Sequence, residues 1–148
     1  MTYTGLDRAI ALAAEKFIGI YDKSGEPYIL HCLQVMNNVK KFNDVELQIA
    51  AVLHDIVEDT DVTFDDLEEL GYSPRVIKII KHVTREDGIS YEDEISRICN
   101  DQDSIKVKMA DLEHNSSILR LKGIRQKDLE RIQKYHRAYF ILQAHLKN

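Results

Sequence analysis

Only two cysteines, two prolines and six glycines occur among the 148 residues. Cys32 and Cys99 are too few for a disulfide framework, and neither belongs to a CxxC pair, so a reducing, cytoplasmic setting is expected. So little proline and glycine leaves small scope for linkers or low-complexity stretches, and no internal repeat is visible. No apolar run approaches the roughly 20 residues that cross a bilayer, and the N-terminus lacks the apolar core of a secretory signal. A membrane role is therefore not expected. Runs alternating apolar and polar residues are absent, which excludes a sheet-based fold. There is no glycine-rich phosphate loop, which argues against a kinase or synthetase.

What is present is an ordinary globular mixture, 44% hydrophobic and 30% charged, of a length that suits one domain over residues 1–148. The net charge of −5 argues against a general nucleic-acid binder, but it is unevenly spread. Residues 1–103 hold 10 Lys and Arg against 21 Asp and Glu, whereas residues 104–148 hold 10 against 4. A basic C-terminal third facing an acidic remainder suits a small polyanion held by its phosphates.

Helical periodicity dominates. Leu6, Ile10, Ala13, Ala14 and Phe17 place a first amphipathic helix over residues 6–18. The Gly19–Tyr28 loop turns at Ser24-Gly25-Glu26-Pro27, and a second helix is expected from Ile29 to Phe42 with Leu30, Leu33, Met36 and Val39 inward. Asn43 or Asp44 caps a third helix. Thr63 with Asp66 opens a short one that Gly71 stops; Ser73-Pro74 begins another to about Val83, and Ser90 with Asp93 one that ends near Asn100. Asp103 or Ser104 is expected to cap the next, and after Gly123 a last helix spans Lys127–Leu146 with Leu129, Ile132, Tyr135, Tyr139 and Leu142 inward. The expectation is an all-α bundle of seven or eight helices.

Two features do not belong to such a bundle unless they carry chemistry. The apolar run Ile49–Leu53 ends in His54-Asp55-Ile56-Val57-Glu58-Asp59. Carboxylates at a helix C-terminus oppose the macrodipole by roughly 0.3–1 kcal/mol each and need another reason to be there. His54 and Asp55 can offer an imidazole and a carboxylate to one metal ion, with Glu58 and Asp59 one turn on to handle a water or a proton. The second feature is Asp111, inside the dense apolar run from Ile105 to Leu112, where an acid is costly unless it is paired or ligates. With His31 near the start of the second helix, His54, Asp55 and Asp111 make a two-imidazole, two-carboxylate set suited to a borderline-to-hard divalent ion. Asp65-Asp66 and Glu68-Glu69 read as a solvated helix face, and His82, His114, His136 and His145 as surface or packing residues.

In this order the residues resemble the HD-domain metal-dependent phosphohydrolases, and more narrowly the RelA/SpoT-type hydrolase domains and free-standing small alarmone hydrolases. The matching stretches are Lys23-Ser24-Gly25-Glu26-Pro27-Tyr28-Ile29 with His31, then His54 to Thr60, then Lys108-Met109-Ala110-Asp111 with His114-Asn115. The resemblance spans about Ala9 to Tyr135. It implies one manganese ion on His31, His54, Asp55 and Asp111, with Glu58 and Asp59 positioning and activating water. It also implies substrate contacts from Lys23, Ser24, Asn115, Arg131 and Tyr135. The implied reaction is hydrolysis of the 3′-pyrophosphate of guanosine 3′,5′-bis(diphosphate) or its triphosphate relative.

The chain departs from that pattern away from the metal residues. Asp22 stands where the family usually has an arginine able to stack on guanine, and Ile20 follows Gly19 where glutamine is common. Leu112, Ser116 and Ser117 replace two basic residues and an apolar one. Weaker discrimination between guanine and adenine is the expectation from position 22. The alternatives are an HD phosphohydrolase acting on an adenine alarmone, NADPH or a mononucleotide, and a metal-containing sensor without turnover. Intact Glu58 and Asp59 speak against the sensor.

Overall fold

The computed structural model describes residues 5–147. Among these the backbone forms nine α-helical segments: α1 (Leu6–Lys16), α2 (Ile29–Asn38), α3 (Val45–Val52), α4 (Ile56–Asp59), α5 (Phe64–Glu69), α6 (Pro74–Val83), α7 (Tyr91–Ile98), α8 (Gln102–Asn115) and α9 (Gln126–His145). Two 3₁₀ turns, Lys40–Phe42 and Ile118–Arg120, join them, and an isolated antiparallel bridge pairs Tyr21 with Pro27. The all-α expectation holds, with α4 a single turn.

Side chains at the helix starts explain most boundaries. Asp44 accepts from the Leu47 N–H, Ser73 from Val76 and Ser90 from Asp93, while Thr63 and Asp66 cap each other reciprocally. At α8 the cap is Asp101, which accepts from the Ser104 N–H at 3.0 Å, rather than Asp103 or Ser104. Asp103 is engaged elsewhere: Arg75 donates to it from Nε at 2.9 Å and grips both Asp44 oxygens at 3.0 and 2.6 Å. One guanidinium thus ties the starts of α3, α6 and α8 together. The expected second helix stops at Asn38, tightens into the 3₁₀ turn, and ends at Asn43, whose φ of 53° is left-handed.

Helix α3 has no polar face in its last turns; Leu47 and Ile49 to Val52 are all buried. Such a helix must be covered on every side, and α1, α2, α6 and α8 pack around it. A smaller cluster joins Ile95 and Ile98 of α7, Ile105 and Leu112 of α8, and Ala138 and Leu142 of α9. Helix α8 serves both: Val107 and Ala110 face the α3 core, Ile105 and Leu112 the second cluster. Asp111 sits between them, which explains a carboxylate inside so apolar a run. Two inward expectations fail. Leu30 is half-exposed because α2 turns His31, Cys32 and Val35 inward instead, and Leu129 is exposed because the first turns of α9 border a cavity, not a core.

Candidate functional site

Four ligand-capable side chains converge where α2, the α3–α4 turn and α8 meet. Helix α3 ends at Val52, so His54 and Asp55 lie in the turn before α4 and not on one continuous helical face with Glu58 and Asp59. That break aims both side chains inward. The ligand-capable atoms of His31, His54, Asp55 and Asp111 all lie within 4.8 Å of one another. His31 Nε2 is 3.0 Å from Asp111 Oδ1, and His54 Nε2 is 2.9 Å from Asp55 Oδ2 and 3.4 Å from Asp111 Oδ1.

The outer atoms of these residues are fixed, and their inner atoms are not. His54 Nδ1 lies 2.7 Å from the Ala51 carbonyl, which can only accept, so the ring carries its proton there and turns the Nε2 lone pair inward. His31 and His54 are almost wholly buried, yet neither Nε2 makes a hydrogen bond. Both sit at ion-pair distance from carboxylate oxygens without hydrogen-bond geometry, and buried polar nitrogens that make no hydrogen bond are costly. Two of them aimed at two carboxylates form a donor set that fits a divalent cation.

The carboxylates are held from behind. Tyr28 donates to Asp55 Oδ2 at 2.5 Å; burial and the Asp55 charge push its phenol pKa far up, so it stays a donor. Asn115 Nδ2 donates to Asp111 Oδ1 at 3.0 Å, and the Lys108 ammonium meets Asp111 Oδ2 at 3.1 Å. Burial alone would raise the Asp111 pKa, but Lys108 prevails and holds the carboxyl well below the usual range. For His54 burial opposes the charged form, and the Asp55 and Asp111 carboxylates outweigh it and raise the imidazole pKa. The same carboxylates favour any positive charge placed among them, a proton on His54 Nε2 or a cation in its stead. Asp55, Glu58, Asp59 and Asp111 surround this point with one buried ammonium to offset them.

Glu58 and Asp59 ride on α4 at the mouth of the site. Burial first, then the Asp55 charge, raises both carboxyl pKa values. Asp59 lines a cavity of about 360 Å³ with Lys23, Ser24, His31, Asn115, Arg131 and Tyr135, and Glu58 lines an adjoining one of about 320 Å³ with Lys108 and Asp111. These volumes match small-molecule sites. Lys23, Arg131 and Lys127 crowd one wall, so burial and mutual repulsion lower the Lys23 pKa. Arg131 is paired with Asp128, whose carboxylate also accepts from the Arg125 N–H at the start of α9. All eleven residues singled out from the sequence are thus brought to one place.

Sequence reasoning missed four neighbours of this place. His114, read as a surface or packing residue, stacks on His31 with Nδ1 atoms 2.7 Å apart, a polar contact that packing alone does not describe. Tyr28 and Lys108 stood within matching stretches but were given no role of their own; their contacts with Asp55 and Asp111 assign one. Arg120 enters the larger cavity and pairs with Asp22 at 2.9 Å. The arginine absent from position 22 is present in the cavity from another part of the chain.

The chain is similar to known proteins. A family model described as the HD domain matches residues 9–116. A guanosine-3′,5′-bis(diphosphate) 3′-pyrophosphohydrolase of Aquifex aeolicus is 40% identical over 90 residues, which is 60% of this chain and 13% of that protein. The bifunctional (p)ppGpp synthase/hydrolase SpoT of Escherichia coli is 31% identical over 126 residues, 77% of this chain and 18% of that one. The chain thus spans less than a fifth of the length of these bacterial relatives. A 3′-pyrophosphohydrolase of Danio rerio is 41% identical over 43% of this chain and 36% of its own. A solved structure of a metazoan ortholog of SpoT that hydrolyses ppGpp superposes with a TM-score of 0.75 at 23% identity, covering 93% of this chain and 84% of that one, which establishes a shared fold.

Proposed function

Because the chain belongs to the HD-domain family, we propose that it is a metal-dependent hydrolase of the 3′-pyrophosphate of guanosine 3′,5′-bis(diphosphate) and its 5′-triphosphate relative. We read residues 1–148 as one such domain, residues 1–4 and 148 lying outside the described part. The observation that carries the reading is the pair of buried imidazole nitrogens that make no hydrogen bond and face two carboxylates, beside Glu58 and Asp59 and below a cationic wall. Two imidazoles with two carboxylates suit manganese, held by His31, His54, Asp55 and Asp111. When bound, that ion supplies Lewis acidity to phosphoryl oxygens and to water.

The chain's own groups do the rest. Lys23 and Arg131 hold phosphate charge, and Ser24, Asn115 and Tyr135 complete the walls around the nucleotide. Glu58 and Asp59 orient water and take its proton as its oxygen bonds to the proximal phosphorus of the 3′-diphosphate. The bond from that phosphorus to O3′ breaks, the proton passes to O3′, and pyrophosphate leaves with GDP or GTP as the other product. A small nucleotide substrate, no nucleic-acid or membrane partner, and a cytoplasmic setting complete the proposal.

The test is a panel of guanine and adenine alarmones, NADPH and mononucleotides incubated with the Mn²⁺-supplemented protein, with products resolved by chromatography. Equimolar pyrophosphate and GDP from the guanine alarmone is the expected result. Metal-loaded protein that leaves the whole panel intact would make this a binding module instead.

A further inference from the structure

Asp22 and Arg120 lie 98 residues apart in the chain, and Arg120 Nη2 donates to Asp22 Oδ2 at 2.9 Å. Both ends of the pair are fixed by further bonds. Asp22 Oδ1 accepts from the backbone N–H of Ser24 at 2.8 Å and of Glu26 at 3.0 Å, so this carboxylate also folds the loop that carries Lys23. Arg120 Nη1 donates to the His114 carbonyl at 3.2 Å, and Ser24 Oγ donates to the Arg120 carbonyl at 3.1 Å. The two side chains are largely buried and both line the 360 Å³ cavity. Burial works against the Asp22 charge, but these backbone donors and Arg120 hold its pKa below the ordinary value.

The chemistry of the pair separates it from the phosphate wall. Asp22 balances the Arg120 charge, whereas Lys23 has no carboxylate within ion-pair distance among the described residues. Arg120 is held by Asp22 and by the His114 carbonyl with its charge already matched, so what it offers a ligand is shape and not charge. A guanidinium has five N–H donors and a flat face; two donors are used by Asp22 and the His114 carbonyl, and three remain. A rigid planar donor matches a heterocycle bearing adjacent acceptors. Guanine presents O6 and N7 in that way, whereas adenine places an amino donor beside N7.

We propose that Arg120, positioned by Asp22 across the cavity, reads the purine base and sets a preference for guanine. The proposal rests on the reading of this cavity as a nucleotide site and adds the residue that chooses the nucleotide. Residue 22 then acts through Arg120, as a positioning residue and not as a failed base platform. Asp22→Arg sets two guanidinium groups against each other and is expected to raise KM for the guanine alarmone.

The test compares guanosine and adenosine 3′,5′-bis(diphosphate) on the Mn²⁺-loaded wild type, Arg120→Ala, Arg120→Lys and Asp22→Asn. Their dissociation constants are also measured on the slowly hydrolysing Glu58→Gln/Asp59→Asn background. Wild type should favour guanine. Arg120→Ala should cut that preference on the order of tenfold, the scale of one bidentate base contact, through KM and Kd with kcat largely kept. Arg120→Lys, which keeps the charge but not the fork, should lose most of the same preference and serves as the reader if the alanine variant does not fold. Asp22→Asn should move the ratio in the same direction by less. Equal losses on both nucleotides, with preference unchanged, would reduce the pair to a loop staple and overturn the proposal. Turnover of both by wild type with no guanine preference would overturn it too. Failure of wild type to bind or cleave either nucleotide would instead sink the function on which it rests.

Discussion

The Nδ1 atoms of His31 and His114 lie 2.7 Å apart, and the rings stack at 5.0 Å between centroids with 19° between their planes. One nitrogen must donate and the other accept. Burial, then the Arg120 charge, pushes the His114 pKa down to about 4, so at neutral pH His114 is uncharged and able to accept. For His31 to offer Nε2 to a metal it must donate from Nδ1, and an uncharged His114 can accept that hydrogen bond. A histidine read from the sequence as a surface or packing residue thus lies where it can orient a candidate ligand.

Replacing that acceptor has a defined consequence. His114→Phe keeps a stacked ring and removes the nitrogen. Mn²⁺ affinity, measured by competition against a chelator, should fall about 10- to 100-fold, the usual effect of losing a group that orients a metal-bound histidine. Unchanged affinity would mean that the two rings only pack.

Removing a ligand should be more severe. His54→Ala or Asp111→Ala is expected to abolish both bound metal, by elemental analysis, and turnover of the guanine alarmone. Exhaustive chelation of the wild type should do the same, and re-addition of Mn²⁺ should restore activity. Full turnover after chelation would contradict the role given to these four residues.

Glu58 and Asp59 are assigned to proton handling, and this separates from metal retention. Glu58→Gln with Asp59→Asn should leave the metal in place and lower kcat by roughly 10²–10⁴-fold. The pH dependence carries a sign. Each carboxyl must be ionised to take a proton, and each pKa is raised, by burial and then by the Asp55 charge. Activity should therefore fall on the acid side. In Asp59→Asn, Glu58 loses one of the charges that raise it, so the acid limb of kcat should move to lower pH. A shift to higher pH would assign that limb to another group.

Stability should respond at Asp44. Its bonds from Arg75 depress its pKa against the opposing effect of burial. A depressed carboxyl stabilises above its unfolded pKa of about 3.9, and that contribution is lost as pH falls through the folded value. Asp44→Ala also removes the α3 cap, at a cost of about 1–2 kcal/mol. Tm at pH 7 should drop by about 3–6 °C, with the gap narrowing in acid. A gap that is constant with pH would leave the cap as the whole effect.

The helices were legible because their starts carry caps whose effect is local: Asp44, Thr63, Ser73 and Ser90 each act within three residues. Asp101 escaped because two further candidates follow it, and only the distant Arg75 removes Asp103 from contention. The four candidate ligands were legible for another reason. Polar groups at apolar positions, such as His54 and Asp111, have no packing explanation. His114 and Arg120 gave no such signal, since a histidine and an arginine near a helix end look like solvated residues until α2 and the Asp22 loop are brought against them. A lone Asp22 likewise reads as a missing arginine until its partner, 98 positions away, is in view.

Helix α8 belongs to two hydrophobic clusters, and the boundary between them runs past Asp111. The first cluster seats His31 and His54; the second seats α9, which carries Arg131 and Tyr135. If the two clusters open as separate cooperative units, their opening free energies should differ. Native-state hydrogen exchange should then resolve an earlier-opening unit in α7 and α9 from a later one around α3. Under the proposed function, the walls around the nucleotide could then open to release products while the four candidate metal residues stay folded together, so that product exit would not require loss of the ion.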